Sequence, residues 1–161
     1  MKAVHWLFLI SMGLFVAGIG LVVAGARSSR QASRSAAPVT TPVASVKQIM
    51  KGIVGPAATV VYNSVGANIT AQGVEEWAPK TDEEWEAVGT SAAALVESGN
   101  LLMMGNRVVD TGDWIKMSQA MIDGGKEALK AVAAKNSEGL MASGEPINGS
   151  CDACHQRYER H

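Results

Sequence analysis

Apolar residues recur at steps of three and four along four stretches of this chain, and one long uncharged run precedes them all. In the first stretch Val46, Ile49, Met50, Ile53, Ala57, Val60 and Ser64 share one face, behind Ser45 as a helix cap. Gly52, Gly55 and Pro56 lie inside it, which predicts a bend about one turn before Pro56 and close approach by a neighbour. From Gly66 to Lys80, Gly, Asn and Pro punctuation reads as a connection. Thr81 and Glu84 then form a capping box, with Asp82 and Glu83 where the helix dipole favours negative charge. The second helix buries Trp85, Val88, Ala92, Leu95 and Val96, and ends at Gly99-Asn100 or continues through Leu101, Leu102, Met103 and Met104 to Gly105. Thr111 or Asp113 caps a third, with Trp114, Met117, Met121, Ile122, Gly125, Leu129 and Val132 on its face up to Lys135-Asn136. Ser137 begins the fourth, where Leu140, Gly144, Ile147, Cys151, Cys154 with His155, and Tyr158 recur at helical steps. Pro146 either kinks this helix or opens a new one. No alternating strand pattern occurs in this part of the chain. Four amphipathic helices with mostly short connections predict an all-α fold, an antiparallel four-helix bundle of the kind that holds cofactors between facing helices.

The uncharged run spans Trp6 to Val23, eighteen residues. Such a length nearly spans a bilayer, whereas the apolar core of a cleaved signal is about 7 to 15 residues. Ala24-Gly25-Ala26 nevertheless offers the small-x-small pattern of a signal peptidase site, so residues 1–26 read as a signal peptide or a membrane anchor helix. Residues 27–44 are rich in Ser, Ala, Thr, Pro and Arg without apolar periodicity, a flexible linker; residues 45–161 form the folded domain.

Of the whole chain, 47% is hydrophobic and 18% charged, and its 161 residues leave room for one domain after the N-terminal segment. The formal charge of -1 hides an asymmetry, since all fifteen acids lie at or after Glu75. From Ser45 to His161 ten basic residues face those fifteen acids, a net of -5, which disfavours a nucleic-acid partner.

The chemistry concentrates in Cys151-Asp152-Ala153-Cys154-His155, the Cys-x-x-Cys-His pattern of covalent haem attachment. Thiols three residues apart on a helix project from one side and can add to the two vinyl groups of one porphyrin edge. His155 beside them can supply the proximal bond to iron. Three other readings compete. A dithiol redox pair normally follows a strand and opens a helix. Zinc needs two more ligands, for which His5 and His161 are poor candidates, and a disulfide within one helix is geometrically awkward.

A single such motif close to the C-terminus, followed by Gln156-Arg157-Tyr158 and preceded by three amphipathic helices, resembles the class II c-type cytochromes, the cytochrome c prime superfamily. The resemblance covers Ser45 to His161. It implies a four-helix bundle with one haem c wedged at one end through Cys151 and Cys154, export, and frequent dimerisation. It also implies that the first helix faces the distal side of the iron, where Met50 resembles the ligand Met of the low-spin members. A thioether there favours ferrous over ferric iron and suits an electron carrier. Met50 as ordinary core is the competing reading, since Met103, Met104, Met117 and Met121 also lie on apolar faces.

These readings give a monohaem electron-transfer protein rather than an enzyme, periplasmic or at the outer face of the membrane, with His155 and Met50 as axial ligands. The alternatives are a high-spin binder of NO or CO and the haem subunit of a larger membrane complex. Expected partners are redox proteins, a second copy or a membrane complex, and the membrane itself if the N-terminal segment is retained. Lys47 and Lys51 are candidates to pair with haem propionates, and Arg157 and Tyr158 to tune His155; each also reads as solvation or packing. Trp85 and Trp114 read as core or as pocket walls. The group Glu75, Glu76, Asp82, Glu83, Glu84 and Glu86 reads first as a helix start and second as an attraction for a basic partner.

Overall fold

The computed structural model describes residues 41–159, with His5, Ser11, Met12 and Phe15. The expected membrane run at residues 6–23, the Ala24-Gly25-Ala26 site, most of the linker and His161 therefore lie outside the described residues. Thr41–His161 forms one compact unit and Met1–Thr40 another. Among the described residues no helix is long and apolar enough to cross a membrane.

Four helical rods build the second unit. The first comprises α1 (Val46–Ile49), a π-helical turn (Met50–Val54) and α2 (Gly55–Asn63). Ser45 starts it with a reciprocal cap: its Oγ accepts from Gln48 N at 3.2 Å, and Gln48 Oε1 accepts from Ser45 N at 2.8 Å. The irregularity expected before Pro56 takes the form of the π turn. Pro56 has no N–H to give, and the Gly55 N–H reaches back five residues to the Met50 carbonyl. One consequence corrects the sequence pattern. The wide turn adds a residue, so the buried face steps from Ile49 to Val54 and then runs Ala57, Val61 and Val65. Ile53 and Val60, expected inside, are 38% and 41% exposed.

The stretch read as a connection holds a β-hairpin, β1 (Gly66–Thr70) against β2 (Gly73–Trp77), antiparallel with Ile69 opposite Val74. Neither strand alternates cleanly, because the hairpin stands almost wholly in solvent and has no inner face to mark. Trp77 anchors it. Its ring lies over Gly66, where an added Cβ would come within 2.0 Å, and its Nε1 donates to the Asn63 carbonyl at 3.1 Å.

Helix α3 (Asp82–Leu102) begins at the expected Thr81–Glu84 capping box and buries Trp85, Val88, Ala92 and Leu95. It runs past Gly99-Asn100, because Gly99 is wedged against Ile122 of the next helix and packing sustains the last turn. In the short 3-10 turn that follows (Gly105–Arg107), buried Arg107 donates to the carbonyls of Ala44 and Leu101, at 2.9 and 3.1 Å. Helix α4 (Asp113–Ala133) is capped by neither Thr111 nor Asp113. The Asp110 carboxylate reaches forward instead to Gly112 N and Trp114 N, at 2.8 and 3.2 Å. Helix α5 (Ser137–Tyr158) is capped by Asn136 and passes through Pro146 unbroken.

Close approaches at glycines fix the packing directions. Gly89 and Gly99 of α3 meet Val132 and Ile122 of α4, while Gly124 and Gly139 belong to contacts with Ile147 and Ala131 across α4 and α5. Tyr62 rests on Gly144, joining the first rod to α5. In each pair one residue number rises as the other falls, so neighbours run antiparallel. The described residues are thus mostly helical, four rods around a core that includes Ile49, Ala92, Leu95, Ala128, Leu140 and Ile147.

Candidate functional site

At the end of the bundle where the first rod starts and α5 finishes, a cavity of about 30 Å³ opens between the helices. Met50 and Val54 line it from the π turn, Leu102 from α3, Met117, Ser118 and Met121 from α4, and Ser150, Cys151, Cys154 and His155 from α5. All four proposed site residues, Cys151, Cys154, His155 and Met50, therefore meet on one wall set. Val54, Leu102, Ser118 and Ser150 carry no site signal in the sequence pattern, and Met117 and Met121 read there only as apolar face. The i, i+4 spacing of those two methionines on α4 is the signal that they share a direction.

Cys151 and Cys154 are half-buried and both are free thiols. Burial pushes each thiol up from its usual range. For Cys151 the Ser150 hydroxyl opposes that and the Asp152 carboxylate adds to it; for Cys154 the neighbouring Cys151 adds to it. His155 is half exposed, with Nδ1 3.9 Å from Glu159 Oε2 one turn on. Among the described residues no three His, Cys, Asp or Glu side chains come together as a metal site.

Arg157 and Tyr158 turn toward α4 rather than toward His155. The Tyr158 hydroxyl donates to Asp110, Arg157 Nε donates to that hydroxyl at 3.2 Å, and Arg157 pairs with Asp113 at 3.0 Å. Tyr158 also stacks edge-on against buried Trp114, whose Nε1 donates to the Leu102 carbonyl at 2.9 Å. Trp85 and Trp114 are core and do not line the cavity. Lys47 and Lys51 are exposed on the first rod. The acidic group sits at the opposite end of the bundle, on β2 and the start of α3, where Asp82 pairs with Lys135 and Glu84 caps the helix.

The Asp110 network makes a pH dependence. The Tyr158 hydroxyl, followed by the amides of Trp114 and Gly112 and by Arg157, holds the Asp110 carboxyl below the usual range. A lowered folded-state value contributes stability that is present above the unfolded carboxylate value, about 3.9, and is lost as pH falls through the folded one. Asp110→Asn is therefore expected to lower the urea midpoint at neutral pH, with the gap to the parent closing on acidification; a gap independent of pH would contradict it.

No family model, no curated protein and no solved structure matches this chain.

Proposed function

We propose that this chain is a monohaem c-type cytochrome of the class II kind that carries electrons at the outer face of a membrane or in the periplasm. One observation carries the reading: two free thiols at i and i+3, with an adjacent imidazole, form one wall of an apolar cavity whose facing wall presents a thioether. This donor set fits a covalently held haem. Cys151 and Cys154 would hold it covalently, each thiol becoming a thioether. His155 and Met50, on facing walls of the cavity, are the side chains that would hold its iron.

The cavity as it stands has room for about one water. Reception of a macrocycle therefore requires the first rod to part from α5, and their Tyr62–Gly144 contact is an ordinary van der Waals one. Haem supplies an iron that accepts and returns one electron. Val54, Leu102 and Met121 would exclude water around it, and Met50 and His155 would hold it from the facing walls of the cavity. Residues 1–26, as signal or anchor, and the linker of residues 27–44 would deliver or tether the domain near its redox protein partners, over a few tens of ångströms by chain statistics.

The test is haem content and optical spectrum of the chain matured in an exporting host, with Cys151→Ser/Cys154→Ser beside it. Covalent haem in the parent only, a low-spin spectrum and indifference to carbon monoxide support the reading. A high-spin spectrum that shifts with carbon monoxide replaces it with a gas-binding module in which Met50 is a distal wall, and absence of haem returns Cys151 and Cys154 to a dithiol role.

A further inference from the structure

Sulfur dominates the donors around the cavity. Met50 brings a thioether from the first rod, Met117 and Met121 bring thioethers from α4, and Cys151 and Cys154 bring free thiols from α5. Side-chain oxygen is turned elsewhere. The hydroxyls of Ser118 and Ser150 donate back to the carbonyls of Trp114 and Ile147 on their own helices, at 2.8 and 2.7 Å. Among the described residues no carboxylate lines the cavity; Asp152, next to Cys151 in sequence, is exposed and accepts from Asn148 at 2.9 Å. His155 lines the cavity with half of its side chain in solvent, and no three His, Cys, Asp or Glu side chains among the described residues come together.

Such a donor set chooses its ion. Zinc asks for a full tetrahedron of thiolate, imidazole or carboxylate, and calcium or magnesium for oxygen, whereas soft thiolate and thioether sulfurs suit Cu(I). Volume agrees, since a cavity of about 30 Å³ has room for one small bare ion and not for a hydrated one. We propose that the haem-free chain binds one Cu(I) in this cavity, held by the thiolates of Cys151 and Cys154 and the thioethers of Met50 and Met117. Both methionines are only partly buried, whereas Met121, 5% exposed, is packed in the core. Their sulfurs can therefore move to an ion without emptying a core position. On binding, each thiol exchanges its proton for copper and gives it to buffer, and the copper stays Cu(I). The inference goes beyond the cytochrome reading and does not depend on it. Thioether links to haem would consume both thiols, so copper and haem exclude one another.

The experiment uses the full, reduced, haem-free chain in the absence of oxygen and supplies Cu(I) as its coloured bicinchoninate complex, so that bleaching reads transfer to the chain. One Cu(I) per chain is expected to transfer. Cys151→Ser/Cys154→Ser should weaken retention about a hundredfold and Met50→Leu/Met117→Leu about tenfold, the range that ligands and their supports are worth. Leu matches Met in volume, so the methionine variant keeps the fold. In urea the gap between it and the parent should close, because only folding brings these methionines to the thiols. Equal retention by the parent and the methionine variant overturns the proposal, since the thiols then act alone. A lack of transfer, a gap that persists in urea, or displacement of the copper by excess zinc overturns it too. Chain carrying covalent haem should leave the complex coloured; bleaching there would put the copper elsewhere and overturn the assignment. Failure of the matured chain to hold haem would remove the cytochrome reading while leaving the copper measurement intact, and a haem-loaded parent whose haem-free form takes no copper would remove this proposal alone.

Discussion

If the chain matures with haem as proposed, Met50→Ala is expected to abolish the red-end absorbance band of a thioether on ferric iron, lower the reduction potential and admit carbon monoxide to the ferrous form. Met117→Ala and Met121→Ala should leave the band and the potential in place. All three methionines line the cavity, so composition alone does not choose among them. Met121 is 5% exposed and belongs to the core of α4, and drawing it to an iron would empty that position. Met50 packs only at the margin of the core, in a π turn. Such turns inside helices accompany functional sites, since the extra residue reaims the side chains on either side of it. An unchanged spectrum in Met50→Ala would remove this ligand, and loss of the band in Met117→Ala would reassign it to α4.

Gly124→Val is expected to cost about 3 kcal/mol of stability, read as the shift in urea midpoint at constant slope. A Cβ at Gly124 would lie 2.9 Å from Ile147 Cγ1, 3.1 Å from Ile147 N and 3.3 Å from Ile147 Cα. Two of those atoms are backbone, and Ile147 is 0% exposed, so no rotamer change relieves the contact and α4 must move off α5. Cys151 lies one turn beyond Ile147, so the same movement widens the cavity. Gly149→Ala is the companion measurement. Its Cβ meets nothing within 4 Å, and in a helix the replacement should stabilise by up to about 1 kcal/mol. Equal effects at both positions would show that helix propensity rather than interhelical space governs the glycines of this bundle.

Much of this architecture was legible because it is local. The helix starts at Ser45 and Thr81 follow from side chains that reach backbone amides three residues away, and both form as their sequences require. The spacing of Cys151, Cys154 and His155 likewise determines one helical side, and the structure sets these residues on one cavity. Where the expectation went astray, the deciding partner was distant or absent from the pattern. The buried face of the first rod moved by one residue because Pro56 withholds an N–H and a π turn takes up the difference. The hairpin escaped notice because its strands have no buried side, and what secures it is a Trp77 ring seated on Gly66.

Arg157 and Tyr158, two and three residues from His155 in sequence, face α4 because Asp110 and Asp113 wait there. The buried hydroxyl of Tyr62, which finds no hydrogen-bond partner, has no counterpart in any local pattern, since it depends on which residue of α5 the ring lies against. The sequence by itself thus determined four helices, two of their caps and the placing of Cys151, Cys154 and His155 on one helical side, all set by interactions within about one turn. The tertiary structure decided which methionines meet that motif, how closely the helices approach at glycine, and that the Tyr62 ring lies against Gly144, because each depends on contacts between residues far apart along the chain.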